Sequence, residues 1–230
     1  MVAKRSEEIN PFIVMEVLER AHAMERQGTD VVHLEVGEPD FDVPKSVKEA
    51  VCKALDEGLT HYTHSCGDAG LREAVCEHYQ ERYGVSVDPD QVVITSGTSP
   101  AMMLVFSTLL ERGDEVIISD PCYACYPNFI NFLEAAPVRV PVYEKDGFQY
   151  RPEGIIDMLS ERTRAILINS PSNPTGNLLS EYTMRSISRL KPIIISDEIY
   201  HGLVYEGREH SILEFTDRAF VLTASPSFTP

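Results

Sequence analysis

A mainly parallel β-sheet covered by helices on both faces is the α/β fold this 230-residue sequence predicts. Three observations carry that expectation. Apolar, β-branched runs such as VIIS, AILIN and PIIIS are continuous rather than alternating, as in strands buried on both faces. Segments with helical periodicity separate most of these runs, the signature of strand–helix–strand crossovers. Prolines open and glycines close several of the helical segments, as real helix ends prefer.

Taken in order, PFIVMEVLERAHAMERQG, residues 11–28, spaces its apolar residues as a helix does and stops on Gly28. PKSVKEAVCKALDEG repeats the form between Pro44 and Gly58, and DAGLREAVCEHYQERYG repeats it up to Gly84. Strands and helices then take turns. The run QVVITSG reads as a strand, followed by a helix over about 99–112 and the strand DEVIISD. A helix near 127–135 precedes PVRVPV, a helix near 152–160 precedes RAILINS, and a helix near 181–190 precedes PIIIS. The last strand is AFVLTA. No internal repeat or low-complexity segment interrupts this order.

Charge narrows the function. With 36 acidic against 20 basic residues the formal charge is -16, which repels phosphate backbones and anionic lipid alike, so neither nucleic acid nor a membrane is an expected partner. The start MVAKRSEEINPF has no apolar signal core, and AMMLVFSTLL is too short to span a bilayer; the expected location is cytoplasmic. Five cysteines, an odd number, point to free thiols. Cys122 and Cys125 form a CxxC that reads as incidental thiols or a redox pair, and His61, His64 and Cys66 lack the second ligand group a zinc site needs.

Ligands of such sheets sit outside the carboxyl ends of the strands. After QVVIT come Ser96, Gly97, Thr98 and Ser99, small residues before an amphipathic helix. They suit an anion such as phosphate at a helix N-terminus, or serve as a simple N-cap. After PIIIS comes Asp197, whose carboxylate is costly in an apolar crevice unless a cation, such as a protonated ring nitrogen, meets it. A strand-end acid capping a turn is the plainer reading. Tyr200, three residues on, is placed to donate to a phenolic oxygen of the same ring. After AILIN comes SPSNPTG, where Pro174 pushes Asn173 towards an extended conformation with its amide presented; a plain turn explains the prolines equally well.

Six motifs, LEVGEPDF, YTHSCGDAGLREAV, SGTS, DPCYACYPN, NSPSNPTG and SDEIY, occur in an order and spacing that resembles the pyridoxal-phosphate aminotransferases of class I/II. The resemblance implies the large cofactor domain of that fold over 41–230, incomplete at the C-terminus. Residues 1–40 would then form an N-terminal arm and part of a smaller domain. It implies pyridoxal 5'-phosphate as cofactor, amino acid and 2-oxo acid substrates, and a homodimer. By the same resemblance Gly97, Thr98 and Ser99 hold the phosphate, and Tyr123 stacks on the ring. Asn173 contacts the ring oxygen and the substrate carboxylate, Asp197 pairs with the ring nitrogen, and Tyr200 donates to the ring oxygen. Tyr62 reaches the neighbouring subunit's phosphate, and Gly37 lines the substrate entrance. An amino-acid lyase of the same fold would share all six motifs, and a non-catalytic remnant is the reading from a different class.

In the family a lysine in a pattern like NGFSK follows the strand after SDEIY and carries the cofactor covalently. This sequence reaches AFVLT and has no such lysine, so it reads as truncated and inactive alone. The genetic code offers an explanation. Shifted one base upstream, the codons of TASPS end in AC, GC, TC, CC and, for an AG-type serine codon, AG. Those endings permit Asn, Gly, Phe, Ser and Lys in that order. The expectation is therefore that TASPSFTP is an out-of-frame reading of the lysine segment, from a real frameshift or a sequencing error near Leu222; the alternative is a domain that simply ends in an unstructured tail. The gene's nucleotide sequence checks it: the shifted frame should spell NGFSK and stay open past position 230. Stop codons close behind the lysine, or third bases that spell another peptide, would overturn it.

Overall fold

The computed structural model describes residues 2, 9, 11–37 and 41–224. The proposed frameshifted tail from Ser225 onward and the middle of LEVGEPDF, residues 38–40, lie outside the described residues. Contacts gather the chain into two units, Met1–Leu59 and Thr60–Pro230.

The first unit holds α1 (Ile13–Glu25) and α2 (Lys45–Asp56). Both end where the glycine signals place them: Gly28 and Gly58 adopt φ of +88° and +72°, a left-handed conformation that glycine reaches without steric cost. Val47, Val51 and Leu55 of α2 remain exposed.

The second unit opens with α3 (Ala69–Tyr83), which the Asp68 carboxylate caps by accepting from the Leu71 N–H. Arg82 at its end ties it to the buried Glu209. There follow α4 (Thr98–Leu109), β1 (Glu115–Asp120), α5 (Tyr126–Phe132), β2 (Ala136–Pro141), α6 (Pro152–Met158), β3 (Thr163–Asn169), α7 (Glu181–Ile187), β4 (Ile193–Asp197) and β5 (Ala219–Leu222). The five strands form one sheet in the order β2–β1–β3–β4–β5, with every neighbouring pair parallel. This is the sheet that the continuous apolar runs predict.

Adjacent strand residues point to opposite faces, so a run without alternation feeds two cores at once. On one face Val116, Ile118, Ala165, Leu167 and Ile195 pack with Met102 and Phe106 of α4 and Tyr126 and Ile130 of α5. On the other, Ile117, Ile166, Ile168 and Ile194 pack with Ile155 of α6 and Met184 and Ile187 of α7. Each fully buried isoleucine or leucine contributes about 1.5–3 kcal/mol relative to exposure, which is why two polar residues in succession would break either layer.

One expected strand is absent. Val92–Thr95 of QVVITSG has no ladder, although Val92 is extended with ψ of 128°. No strand among the described residues lies beside it to supply ladder hydrogen bonds. The Ile94 N–H donates instead to the Cys66 carbonyl at 2.9 Å, in the loop HSCGDAG. That approach depends on Gly67: at φ +101°, a Cβ there would lie 2.5 Å from Cβ of Ile94.

The two faces of α4 provide a check on its orientation. Phe106 is fully buried and Leu104 is 54% exposed. Phe106→Ala should lower unfolding free energy by about 3–5 kcal/mol and Leu104→Ala by no more than about 0.5, read from chemical denaturation. Equal losses would mean that the helix packs through another face.

Candidate functional site

From β1 the chain crosses to β2 on one side, then to β3 on the other side of β1, so the winding direction reverses between β1 and β3. Open α/β sheets bind ligands in the crevice that such a reversal creates at the strands' carboxyl ends. A cleft lies there. Its lining includes Thr98 and Ser99 at the start of α4, Tyr123 after β1, Asn169 and Asn173 at and after β3, and Asp197 and Tyr200 at and after β4. Residues as far apart as Thr98 and Tyr200 thus meet because each lies at or after a strand end or opens a helix.

Asp197 is the most constrained of them. It is 6% exposed. Its Oδ2 accepts from the Tyr126 hydroxyl at 2.6 Å and its Oδ1 from the Ile199 N–H at 3.3 Å. Its main-chain carbonyl accepts from Asn169 Nδ2 at 2.9 Å and the Ser170 N–H at 3.2 Å. Burial pushes the carboxyl above its usual range, and the bonds from Tyr126 and Ile199 offset only part of that. No cation among the described residues pairs with it, so the ionised form awaits a positive partner from outside.

At the opposite wall α4 begins on Gly97, whose φ of +108° suits glycine and whose side has open space. No side chain caps this end. The N–H groups of Thr98 and Ser99 therefore lie at the positive end of a twelve-residue helix with no internal partner. Between the two walls, Asn173 Nδ2 donates to the Tyr200 hydroxyl oxygen at 3.2 Å, and the Asn173 N–H donates to Asn169 Oδ1 at 2.7 Å. The Tyr123 ring stands edge-on to Tyr126, with centroids 5.3 Å apart. Burial raises the Tyr123 and Tyr126 hydroxyls well above the ordinary tyrosine range, so both stay protonated donors.

The cleft thus brings together Thr98, Ser99, Tyr123, Asn173, Asp197 and Tyr200, with Gly97 immediately before it as the cap of α4. It does not include Tyr62, which is fully exposed, nor Gly37, an exposed residue of the first unit. Two of its hydrogen-bonding members carry no mark in the sequence. Tyr126 was hidden in DPCYACYPN behind Tyr123, and only its place on α5, facing β4, reveals it. Asn169 reads in the sequence only as the end of a strand, although its side chain clamps the main chain of Asp197. The five cysteines are free, and burial raises the Cys122 thiol, which disfavours the reactive thiolate.

Glu198, the neighbour of Asp197, points away from the cleft and is fully buried. Its Oε1 accepts from the Ser196 hydroxyl at 2.8 Å, the Ile212 N–H at 2.9 Å and the Ser211 hydroxyl at 3.2 Å. Its Oε2 lies 3.6 Å from His201 Nδ1, itself bonded to the Tyr83 hydroxyl. Glu198 therefore fastens the turn at Ser211 to the end of β4 and so fixes where Asp197 stands.

A parallel α/β sheet with a polar cleft at its switch point defines a ligand-binding α/β protein. Residues 29–227 match the family described as aminotransferase class I and II, and the chain belongs to that family, whose cofactor is pyridoxal phosphate. It is 43% identical over 217 residues to the (5-formylfuran-3-yl)methyl phosphate transaminase of Methanocaldococcus jannaschii, a match covering 94% of this chain and 56% of that protein. It is 41% identical to an aspartate aminotransferase of Pyrococcus horikoshii over 99% of this chain and 59% of that one. Among solved structures, aspartate aminotransferase from Thermus thermophilus with maleate superimposes with a TM-score of 0.93 at 34% identity, covering 97% of this chain and 60% of that one. The chain thus spans less than two thirds of the length of these relatives.

Burial pushes the Glu198 carboxyl up to about 7 from an ordinary 4.5. A raised acid holds its proton in the folded state where the unfolded chain has lost it, so the stability it contributes is present below about 4.5 and lost as pH rises through about 7. Between pH 8 and pH 5 the wild type should therefore gain roughly 2–3 kcal/mol over Glu198→Gln, measured by urea unfolding at each pH. Parallel pH profiles would show that Glu198 is ionised throughout.

Proposed function

We propose that this chain forms the cofactor-binding part of an aminotransferase that moves an amino group between an amino acid and a 2-oxo acid. The observation that carries the reading is the buried, cation-less carboxylate of Asp197 facing a cleft whose other wall is the uncapped start of α4. Pyridoxal 5'-phosphate has complementary groups: a protonatable ring nitrogen, a phenolic oxygen and a phosphate. When bound, it supplies an electron sink that weakens bonds at the substrate's α-carbon.

The chain's own residues would divide the work of holding it. Thr98 and Ser99 would give main-chain and hydroxyl donors to the phosphate, with Gly97 keeping the approach open. Asp197 would keep the ring nitrogen protonated, and Tyr126 would hold that carboxylate in place. Tyr200 and Asn173 would donate to the ring oxygen. Tyr123 would cover one face of the ring. Asn173 would also meet the substrate carboxylate, with Gly37 at the entrance. The exposure of Tyr62 supports a homodimer in which it reaches the partner's phosphate. Residues 1–40 would serve as an arm and part of a smaller domain, 41–230 as the cofactor domain, and the setting is cytoplasmic. The relatives are named as a transaminase and an aminotransferase, which favours transamination over lyase chemistry.

No lysine follows Lys191 in the 230 residues. The chain by itself is therefore expected to take up pyridoxal phosphate without a covalent bond and without turnover. Titration followed by visible absorbance should show saturable binding. Asp197→Ala should weaken it about 10- to 100-fold, the loss expected for a charge-assisted hydrogen bond. Pyridoxal lacking the phosphate should bind less tightly than the phosphate ester. Unchanged affinity in Asp197→Ala, or equal binding of pyridoxal, would overturn the assignment.

A further inference from the structure

The first unit carries a side-chain cluster that the cofactor cleft does not use. His22 and Glu25, three residues apart, share one face of α1, and His33 comes from the extended segment that follows. One donor atom from each, two imidazole nitrogens and a carboxylate oxygen, lies within 4.8 Å of the other two. Ligands of a four-coordinate Zn2+ stand about 3.3 Å apart at Zn–N and Zn–O distances near 2.0–2.1 Å. Small rotamer adjustments of three exposed side chains close that difference.

The fourth residue decides what kind of site this is. Glu35 Oε1 lies 2.5 Å from Nδ1 of His33, while its Oε2 accepts from the Leu34 N–H at 2.9 Å. The side chain of Glu35 is only 11% exposed, so it is held rather than loosely placed. Glu35 therefore keeps a proton on Nδ1 and aims Nε2 of His33 at Oε1 of Glu25, 2.9 Å away. A neutral imidazole nitrogen and a carboxylate oxygen are both acceptors, so a positive species must sit between them. A proton would suffice for that pair alone. The ring of His22, 5.5 Å from that of His33, makes no hydrogen bond among the described residues and adds a nitrogen that a proton does not need. A carboxylate behind one nitrogen of a histidine whose other nitrogen faces a further ligand atom is the arrangement that orients metal-bound imidazoles, and here that further atom is Glu25 Oε1.

We propose that His22, Glu25 and His33 bind a divalent transition-metal ion, Zn2+ foremost, with Glu35 as the residue that positions His33. Two imidazoles and one carboxylate suit the borderline ions Zn2+, Co2+ and Ni2+ rather than Mg2+ or Ca2+, which take all-oxygen shells. Water would complete the fourth position. Two carboxylates around two neutral imidazoles leave a local charge that one divalent ion neutralises.

The test uses the full 230-residue chain and Co2+, whose visible bands report four-coordination, with Zn2+ displacing it. One Co2+ per chain is expected. His33→Ala and His22→Ala should each abolish the bands, and Glu35→Gln should weaken binding about 10- to 100-fold while keeping the same spectrum. His64→Ala should change nothing, because its Nδ1 already accepts from the Cys66 N–H. On the unmodified chain, Zn2+ should protect His22 and His33 from pyrocarbonate labelling read by mass spectrometry, which needs no variant to fold. Bands that survive His33→Ala, bands lost with His64→Ala, absence of saturable Co2+ or Zn2+ binding, or labelling of His22 and His33 that Zn2+ leaves unchanged would each overturn the proposal. The last two outcomes would assign the gap between His33 and Glu25 to a proton.

Discussion

The carboxylate of Asp197 sits at the end of an apolar strand, and most of the second unit is arranged around that fact. Removing an ionised carboxylate from water costs several kcal/mol unless hydrogen bonds and a counter-charge replace the lost hydration. The protein supplies the hydrogen bonds through Tyr126 and Ile199, and no cation among the described residues supplies the counter-charge. Position matters as much as charge. Asn169 and Ser170 hold the carbonyl of Asp197 from β3, and the Glu198 N–H donates to the Leu222 carbonyl of β5 at 2.7 Å. The strand end is thus clamped from both sides, and the two hydrophobic layers beneath it keep the strands from sliding. A ligand that brings a positive ring nitrogen meets a group already in place, so little ordering remains to be done at binding.

The pleat gives Asp197 and Glu198 opposite duties. Neighbouring residues at a strand end face opposite sides, so one acid looks into the cleft and the other into the body of the protein. Glu198 has three donors on a single oxygen, and burial still raises its carboxyl to about 7. Asp197 has no comparable set of donors. Burial raises both carboxyls, but only Asp197 lines the cleft and is available to a ligand.

The sheet was legible in the sequence because continuous apolar runs report burial on both faces, and the cleft residues were legible because they follow strand ends. Tyr126 and Glu198 were not. A hydroxyl on a helix and an acid beside a more conspicuous acid carry no local mark of what they will touch seventy-one or fourteen residues away. QVVIT failed for a different reason. Its β-branched residues favour an extended backbone, and Val92 has one, but a ladder also needs a neighbour, which propensity does not encode. The His22, Glu25, His33 grouping was equally silent, since its members are separated by a turn whose path sets their distance.

The overall charge of -16 opposes an anionic ligand, and yet the cleft reading requires one. Distance resolves the conflict. At physiological ionic strength, exposed charges more than about 8 Å apart are largely screened, so most of the surface acids act weakly at the cleft. The start of α4 acts at contact range: its first N–H groups have no partner, and its macrodipole adds roughly half a positive charge within the first turn. Gly97 contributes by what it omits, leaving open space where a Cβ would stand. Asp197, the cleft's own acid, lies at the other wall, where under the proposed function it would meet the cationic end of the same ligand rather than its phosphate. Separating the two charges across the cleft would let a strongly acidic chain hold a molecule that is anionic at one end and cationic at the other. It also fixes which way round that molecule lies, because reversing it would set phosphate against carboxylate.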